Sequence, residues 1–197
     1  TTKTQPNASG RNTGTLYLVA TPIGNLEDIT LRAIRTLKEA DLIAAEDTRR
    51  ARTLLVHYGI STPLTSYFAH SSSRKTGALL AQLEEGKTIA LISEAGTPSI
   101  SDPGYVLTRL AIDRQIPVVP IPGPAALIAA LAVSGLSTRS FIFEGFLPRK
   151  AGRRKNLFLA LRDQQRTFIF YESPRRLMAT LEDLRAVLGE NRQMVVA

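Results

Sequence analysis

Residues 88–105 read TIALISEAGTPSISDPGY. The first five form a short apolar run of the kind a buried strand needs. The chain then changes character. It spends a dozen residues on Glu94 and Asp102, Gly96 and Gly104, Pro98 and Pro103, and several hydroxyls, with no lysine, arginine or histidine. A helix is expected over 103–115, with Asp102 as its N-cap and Pro103 at its first position. Strand, long polar loop and helix make one βα unit. Loops of this length in compact domains are usually functional, and Gly96 and Gly104 permit close backbone approach or unusual dihedrals. The stretch contains neither G-x-x-x-x-G-K-S/T nor G-x-G-x-x-G, which excludes a P-loop and a dinucleotide fingerprint. A ligand cradle built from backbone groups and a long helix-capping loop are the two readings.

The same alternation extends in both directions. Strands are expected at 15–20, 42–45, 63–67 and 118–121. Helices are expected around Leu31, Ile34 and Leu37 with Asp28 as N-cap, over 48–57 closed by Gly59, and over 72–85 stopped by Gly86. Alternating strands and helices predict an α/β fold with a mostly parallel sheet flanked by helices. Ligands in such sheets bind beyond the carboxyl ends of the strands. The loops there are TPIGN (21–25), EDTRR (46–50), 93–104 and PGPAA (122–126). The expected organisation is a disordered lead-in over 1–14, an N-terminal α/β domain over 15–121, and a second α/β domain over 122–197. That second domain is expected to contain a helix at 125–133, a strand at 141–146, a basic loop at 149–155, a helix at 154–163, a strand at 167–171 and a helix at 174–188. Residues 194–197 read as the start of a further strand, so the second domain is expected to be incomplete.

The chain has 197 residues and a formal net charge of +8. It lacks cysteine and has two histidines, His57 and His70, which argues against disulfides and a structural zinc site. No apolar run approaches the roughly 20 residues of a membrane span, and the polar first residues do not read as a secretory signal. A cytoplasmic protein away from membranes is expected. The cations cluster: Arg149, Lys150, Arg153, Arg154 and Lys155; Arg49, Arg50 and Arg52; Arg175 and Arg176. Such clusters suit a polyanionic partner. Glu46 and Asp47 are paired carboxylates, suited to acid–base work; alternatively Asp47 caps the helix that follows. Gly123 and Pro124 precede a helix N-terminus, where free N–H groups can meet a carboxylate.

TPIGNLEDIT, AAEDTRR, LISEAGTPSISDPGY, VVPIPGPAA, FEGFLPRK and FYESPRR occur in that order. Together they resemble the ribosomal RNA small subunit methyltransferase I family, of the tetrapyrrole methylase fold (class III methyltransferases), over residues 15–197. The resemblance implies methylation of the ribose 2′-oxygen of cytidine 1402 in 16S rRNA, with S-adenosyl-L-methionine held between two α/β domains. It implies donor-binding roles for Pro22, Gly24, Ser93, Glu94, Ala95, Gly96, Thr97, Pro98, Pro122, Gly123, Pro124, Ala125, Ala126 and Tyr171. The family usually has Asp where Glu94 stands and often His where Arg175 stands. The chemistry needs no metal. Glu46 or Asp47 would serve as base, while Lys150 or Arg149 would stabilise charge on the 2′-oxygen. Arg49, Arg50, Arg149, Lys150, Arg153, Arg154 and Lys155 would contact RNA phosphates. A homodimer is a further implication of the resemblance. The alternatives are a methyltransferase acting on a precorrin-type tetrapyrrole, and a non-catalytic RNA-binding or ribosome assembly factor.

Overall fold

The computed structural model describes residues 13–68, 71–102 and 104–197. It divides into two compact units, Thr1–Ala125 and Ala126–Ala197. The expected disordered lead-in falls almost wholly outside the described residues, as do His70 and Pro103.

The first unit contains β1 (Leu16–Val19), α1 (Leu31–Glu39), β2 (Leu42–Ala45), α2 (Thr48–His57), β3 (Leu64–Ser66), α3 (Ser73–Glu84), β4 (Ile89–Ile92), α4 (Tyr105–Asp113) and β5 (Val118–Ile121). Its five strands form a parallel sheet in the order β3-β2-β4-β1-β5. β4 is buried throughout, because both faces of the sheet are covered. Its side chains alternate: Ala90 and Ile92 join Ala33, Leu37, Leu54 and Leu55 of α1 and α2 on one face. Ile89 and Leu91 join Leu79, Leu80, Leu83 and Leu107 of α3 and α4 on the other. A strand covered on both faces must be apolar at every position, which is why 88–92 is an unbroken run. Each fully buried Leu or Ile contributes about 1.5–3 kcal/mol relative to exposure.

Two expected caps are corrected. Thr30, not Asp28, caps α1: its hydroxyl accepts from the Ala33 amide at 3.0 Å. Asp28 lies in a 3-10 turn, Leu26–Asp28, too early to reach those donors. α4 starts at Tyr105 with Gly104 in the cap position and no side-chain cap, so Asp102 is not its N-cap. Gly104 has φ +126, and a β-carbon there would meet Leu91 Cδ2 at 2.7 Å and Ser99 Oγ at 2.9 Å. Gly104→Ala is therefore expected to destabilise the first unit by about 1–3 kcal/mol, read as a lower urea midpoint at unchanged slope.

The second unit contains α5 (Ala126–Val133), β6 (Phe141–Phe146), α6 (Ala151–Leu161), β7 (Thr167–Tyr171) and α7 (Leu177–Leu188). β6 and β7 pair in parallel, with a shift of register between Phe143 and Phe146 where Gly145 takes φ +64. Phe158 of α6 is fully buried against Phe170 of β7. Three expectations are corrected here. α6 begins at Ala151, so Arg153, Arg154 and Lys155 lie on a helix rather than a loop. The 174–188 segment is a 3-10 turn, Pro174–Arg176, followed by α7. Residues 194–197 belong to no strand. No helix among the described residues is long and apolar enough to cross a membrane.

Candidate functional site

β1 and β4 are neighbours, yet their outgoing connections diverge: the chain leaves β1 for α1 on one face and β4 for α4 on the other. This is the topological switch point, where the loops must part and leave a crevice. Three segments meet there. Thr21 and Gly96 exchange backbone hydrogen bonds of 2.9 Å in both directions. Ser93 is buried, and its hydroxyl lies 3.4 Å from the carbonyls of both Ala95 and Gly96. Thr97 Oγ1 lies 3.5 Å from the Pro124 carbonyl it donates to. Gly96 has φ +79 and would place a β-carbon 3.6 Å from that same carbonyl. Gly123 lies so close to β1's exit that a β-carbon would meet Ala20 Cβ at 2.9 Å. Glycine is thus favoured at 96 by its positive φ and at 123 by close packing against Ala20.

A cavity of about 250 Å³ opens beside these loops, lined by Thr21, Pro22, Leu26, Arg50, Ala51, Thr53, Leu54, Ile92, Ser93 and Glu94. Of the expected donor residues, it gathers Pro22, Ser93 and Glu94. Pro98 is buried and Pro124 and Ala125 are half-buried, whereas Gly24, Ala95, Pro122, Gly123 and Ala126 are exposed. Open space surrounds Gly24, so no packing contact demands glycine there. Although the 93–104 loop has no basic residue of its own, the fold supplies one: Arg50 Nη1 lies 2.8 Å from Glu94 Oε2. Arg50, expected at an RNA surface, therefore lines this cavity.

Carboxylates converge on the same edge. Burial pushes the Glu46 carboxyl up from the ordinary glutamate range, and the charges of Asp102 and Glu94 push it further; a hydrogen bond from the Glu94 amide partly offsets this. Asp102 is raised chiefly by burial, with a hydrogen bond from Ser93 opposing it and Glu94 adding to it. Asp47 behaves in the opposite way. It caps α2 by accepting from the Arg49 amide at 2.8 Å and pairs with the Arg49 guanidinium, which holds it below the ordinary aspartate range. Asp102 is a site residue that sequence reasoning assigned only to capping. Its position nine residues after Ser93, across a loop that doubles back, has no periodic signal.

In the second unit Tyr171 is half-buried, packs against Phe143 and Phe146 at centroid distances of 4.9 and 5.4 Å, and accepts from the Leu127 amide at 3.3 Å. Arg149, Lys150 and Arg153 are exposed. Arg154 is not: it is 5% exposed and donates through Nε at 2.8 Å, and through Nη2, to Asp183 Oδ2. Lys155 Nζ lies 3.3 Å from the other Asp183 oxygen. The RNA-contact expectation for Arg154 is therefore corrected; its helical position, four and seven residues before buried Phe158 and Leu161, turns it inward. Arg176 donates to the carbonyls of Leu147 and Pro148 at 2.8 and 3.3 Å and to Glu172 Oε2 at 2.8 Å, while Thr180 donates to the same oxygen. This clamp fixes the backbone immediately before Arg149 and Lys150.

The first-unit residues fit a methyl donor such as S-adenosyl-L-methionine. Apolar Leu26, Leu54 and Ile92 line the cavity together with the Thr21 and Ser93 hydroxyls, and Glu94 supplies a carboxylate that a cationic sulfur would favour. Among the described residues no group of three or more His, Cys, Asp or Glu is placed to hold a metal ion.

Residues 15–197 match the family model described as Tetrapyrrole (Corrin/Porphyrin) Methylases. The chain is 54% identical over 184 residues to the Ribosomal RNA small subunit methyltransferase I of Synechocystis sp., covering 93% of this chain and 66% of that protein. It is 50% identical over 193 residues to the protein of the same name from Escherichia coli O157:H7, covering 98% of this chain and 68% of that one. Its fold is similar to the crystal structure of diphthine synthase, with TM-score 0.68 and 16% identity over 88% of this chain and 71% of that chain. The chain thus spans about two thirds of the length of these curated relatives. With a family model covering all its described strands and helices and relatives half-identical along nearly its whole length, the chain belongs to the tetrapyrrole (corrin/porphyrin) methylase family, in the group named ribosomal RNA small subunit methyltransferase I.

Proposed function

We propose that this chain acts in S-adenosyl-L-methionine-dependent methylation of the ribose 2′-oxygen of a cytidine, position 1402, in the 16S rRNA of the small ribosomal subunit. The observation that carries this reading is the cavity at the β1/β4 switch point, lined by Thr21, Pro22, Ser93 and Glu94 beside the Thr21–Gly96 backbone pair, in a chain half-identical to proteins named for that activity. A cytoplasmic homodimer is part of the same reading.

Thr21, Pro22, the backbone of 93–98 and the 122–126 segment would hold the donor. When bound, the donor supplies an electrophilic methyl group whose leaving group is a neutral thioether. A ribose hydroxyl is a weak nucleophile and gains from losing its proton as it reacts. Glu46 is the better base of the expected pair, because its burial raises its basicity while Asp47 is committed to Arg49 and the α2 amide. Lys150 and Arg149, both exposed cations, would stabilise negative charge developing on the oxygen. Positioning accounts for much of the remaining acceleration.

The test is alkaline hydrolysis and mass spectrometry of small-subunit rRNA from cells with and without the gene. A 2′-O-methyl group protects its linkage from alkali. One protected cytidine should be lost with the gene and return with it. Unchanged rRNA would overturn the reading.

A further inference from the structure

The two helical layers of the first unit differ sharply in charge. α1 and α2 carry Arg32, Arg35, Lys38, Arg49, Arg50 and Arg52 against the single carboxylate Glu39. α3 and α4 carry Arg74, Lys75 and Arg109 against Glu84 and Asp113. On the second layer the charges are largely engaged: Arg109 pairs with Asp113, Glu84 pairs with Arg114, and Lys75 donates to Ser66. On the first, Arg32, Arg35, Lys38 and Arg52 are exposed, and their side chains form no ion pair or hydrogen bond among the described residues.

α1 and α2 are neighbours on one face of the sheet. Both pack into the same core cluster, Tyr58 just after α2 donates to the Leu26 carbonyl just before α1 at 2.6 Å, and Thr62 donates to the Leu37 carbonyl at 2.7 Å. Arg32, Arg35 and Lys38 recur every three residues, which sets them in a row along α1. Arg49 and Arg52 repeat that spacing on α2. Both rows start at the helix ends that follow β1 and β2, the edge where Thr21, Glu46 and Glu94 lie. Unpaired cations in rows on rigid helices self-repel unless an anionic partner neutralises them. Leu31 and Val56 are the large exposed apolar residues of these two helices, too few for a lipid surface to exploit.

We infer that the outer face of the α1–α2 layer is a contact surface for the RNA phosphate backbone, with Arg32, Arg35, Lys38 and Arg52 as its cations. This rests on the rRNA reading above. It adds a first-unit surface to the RNA footprint, separate in sequence from the exposed cations Arg149, Lys150 and Arg153.

The test uses the full chain and small subunits from cells lacking the gene. Binding is measured against salt concentration for wild type, R32Q/R35Q/K38Q/R52Q, R52Q alone, and R74Q on the opposite layer. Each phosphate contact carries about 0.7–0.9 of the log–log salt slope. The quadruple variant should lose about 3 from the slope and bind about 10³-fold more weakly near 0.1 M salt. R52Q should lose about 0.7–0.9, and R74Q nothing, with melting temperature and donor affinity unchanged. R52Q carries the test if the quadruple variant folds poorly. Wild-type slopes in the quadruple variant and in R52Q would overturn the surface and leave the methyltransferase reading standing. Equal losses in R74Q and R52Q would reduce it to a net-charge effect. Loss of binding to phosphatidylserine vesicles with subunit binding intact would reassign the face to lipid. Failure of the wild type to bind or methylate either subunits or naked 16S rRNA would overturn both readings together.

Discussion

Arg154→Ala is expected to cost the second unit about 3 kcal/mol, because it removes both donors to Oδ2 of the buried Asp183 carboxylate and leaves it only half-exposed Lys155 on the other oxygen. The adjacent Arg153→Ala, on the exposed side of α6, should change stability by less than about 0.5 kcal/mol. Urea denaturation of the two variants side by side separates a buried structural pair from a surface charge. Burial alone would raise the Asp183 carboxyl, but hydrogen bonds from Arg154 and Lys155 outweigh it and hold it below the ordinary aspartate range. A depressed folded-state value gives stability that is present above the unfolded value and is lost as pH falls through the folded one. Wild type should therefore weaken below about pH 4, and Arg154→Ala should flatten that dependence. Equal stability of the two alanine variants would mean that the pair contributes nothing.

Glu46→Gln is expected to lower kcat for rRNA methylation by about 10²–10⁴-fold while making the chain more stable at neutral pH. The two effects share one cause. Burial and the neighbouring Asp102 and Glu94 raise the Glu46 carboxyl. A raised folded-state value means that the folded form holds its proton more tightly, so stability falls as pH climbs from the unfolded value through the folded one. At neutral pH the ionised carboxylate is a cost that glutamine removes, without surrendering the ability to accept from the Glu94 amide. The wild-type kcat/KM should rise with pH through a value above the ordinary glutamate range, and the variant should lose that limb. A variant that retains full kcat would exclude Glu46 as the base.

Sheet and helix positions were legible where the physics is local. β2, β5, β6 and β7 coincide with apolar runs bounded by turn residues, since a buried strand needs little more than that. Gly96 and Gly104 were legible as special backbone positions. Caps were less so. Asp28 and Asp102 have the right chemistry, but whether an oxygen reaches the second or third amide depends on a path that Thr30 and Gly104 determine. The least legible features were pairings between residues distant in sequence. Nothing near Arg154 announces Asp183, and nothing in the 93–104 loop announces Arg50. RKAGRRK reads as uniformly basic; the helical period alone indicates that one of its cations faces Phe158 and Leu161.

The order of the first sheet also sets a timetable for synthesis. β1 pairs only with β4 and β5, beginning at Leu16 with Ile89 and Val118. Roughly 70 residues separate β1 from its earlier partner, which corresponds to about 4–15 s of translation. During that interval an apolar strand has left the ribosome with no ladder to join, and β2 and β3 can pair only with each other. Emergence of β4 between β2 and β1 is the event that joins the halves of the sheet. A nascent chain paused before residue 89 is a natural client for a chaperone, and one released after residue 121 holds every strand it needs to close the first unit.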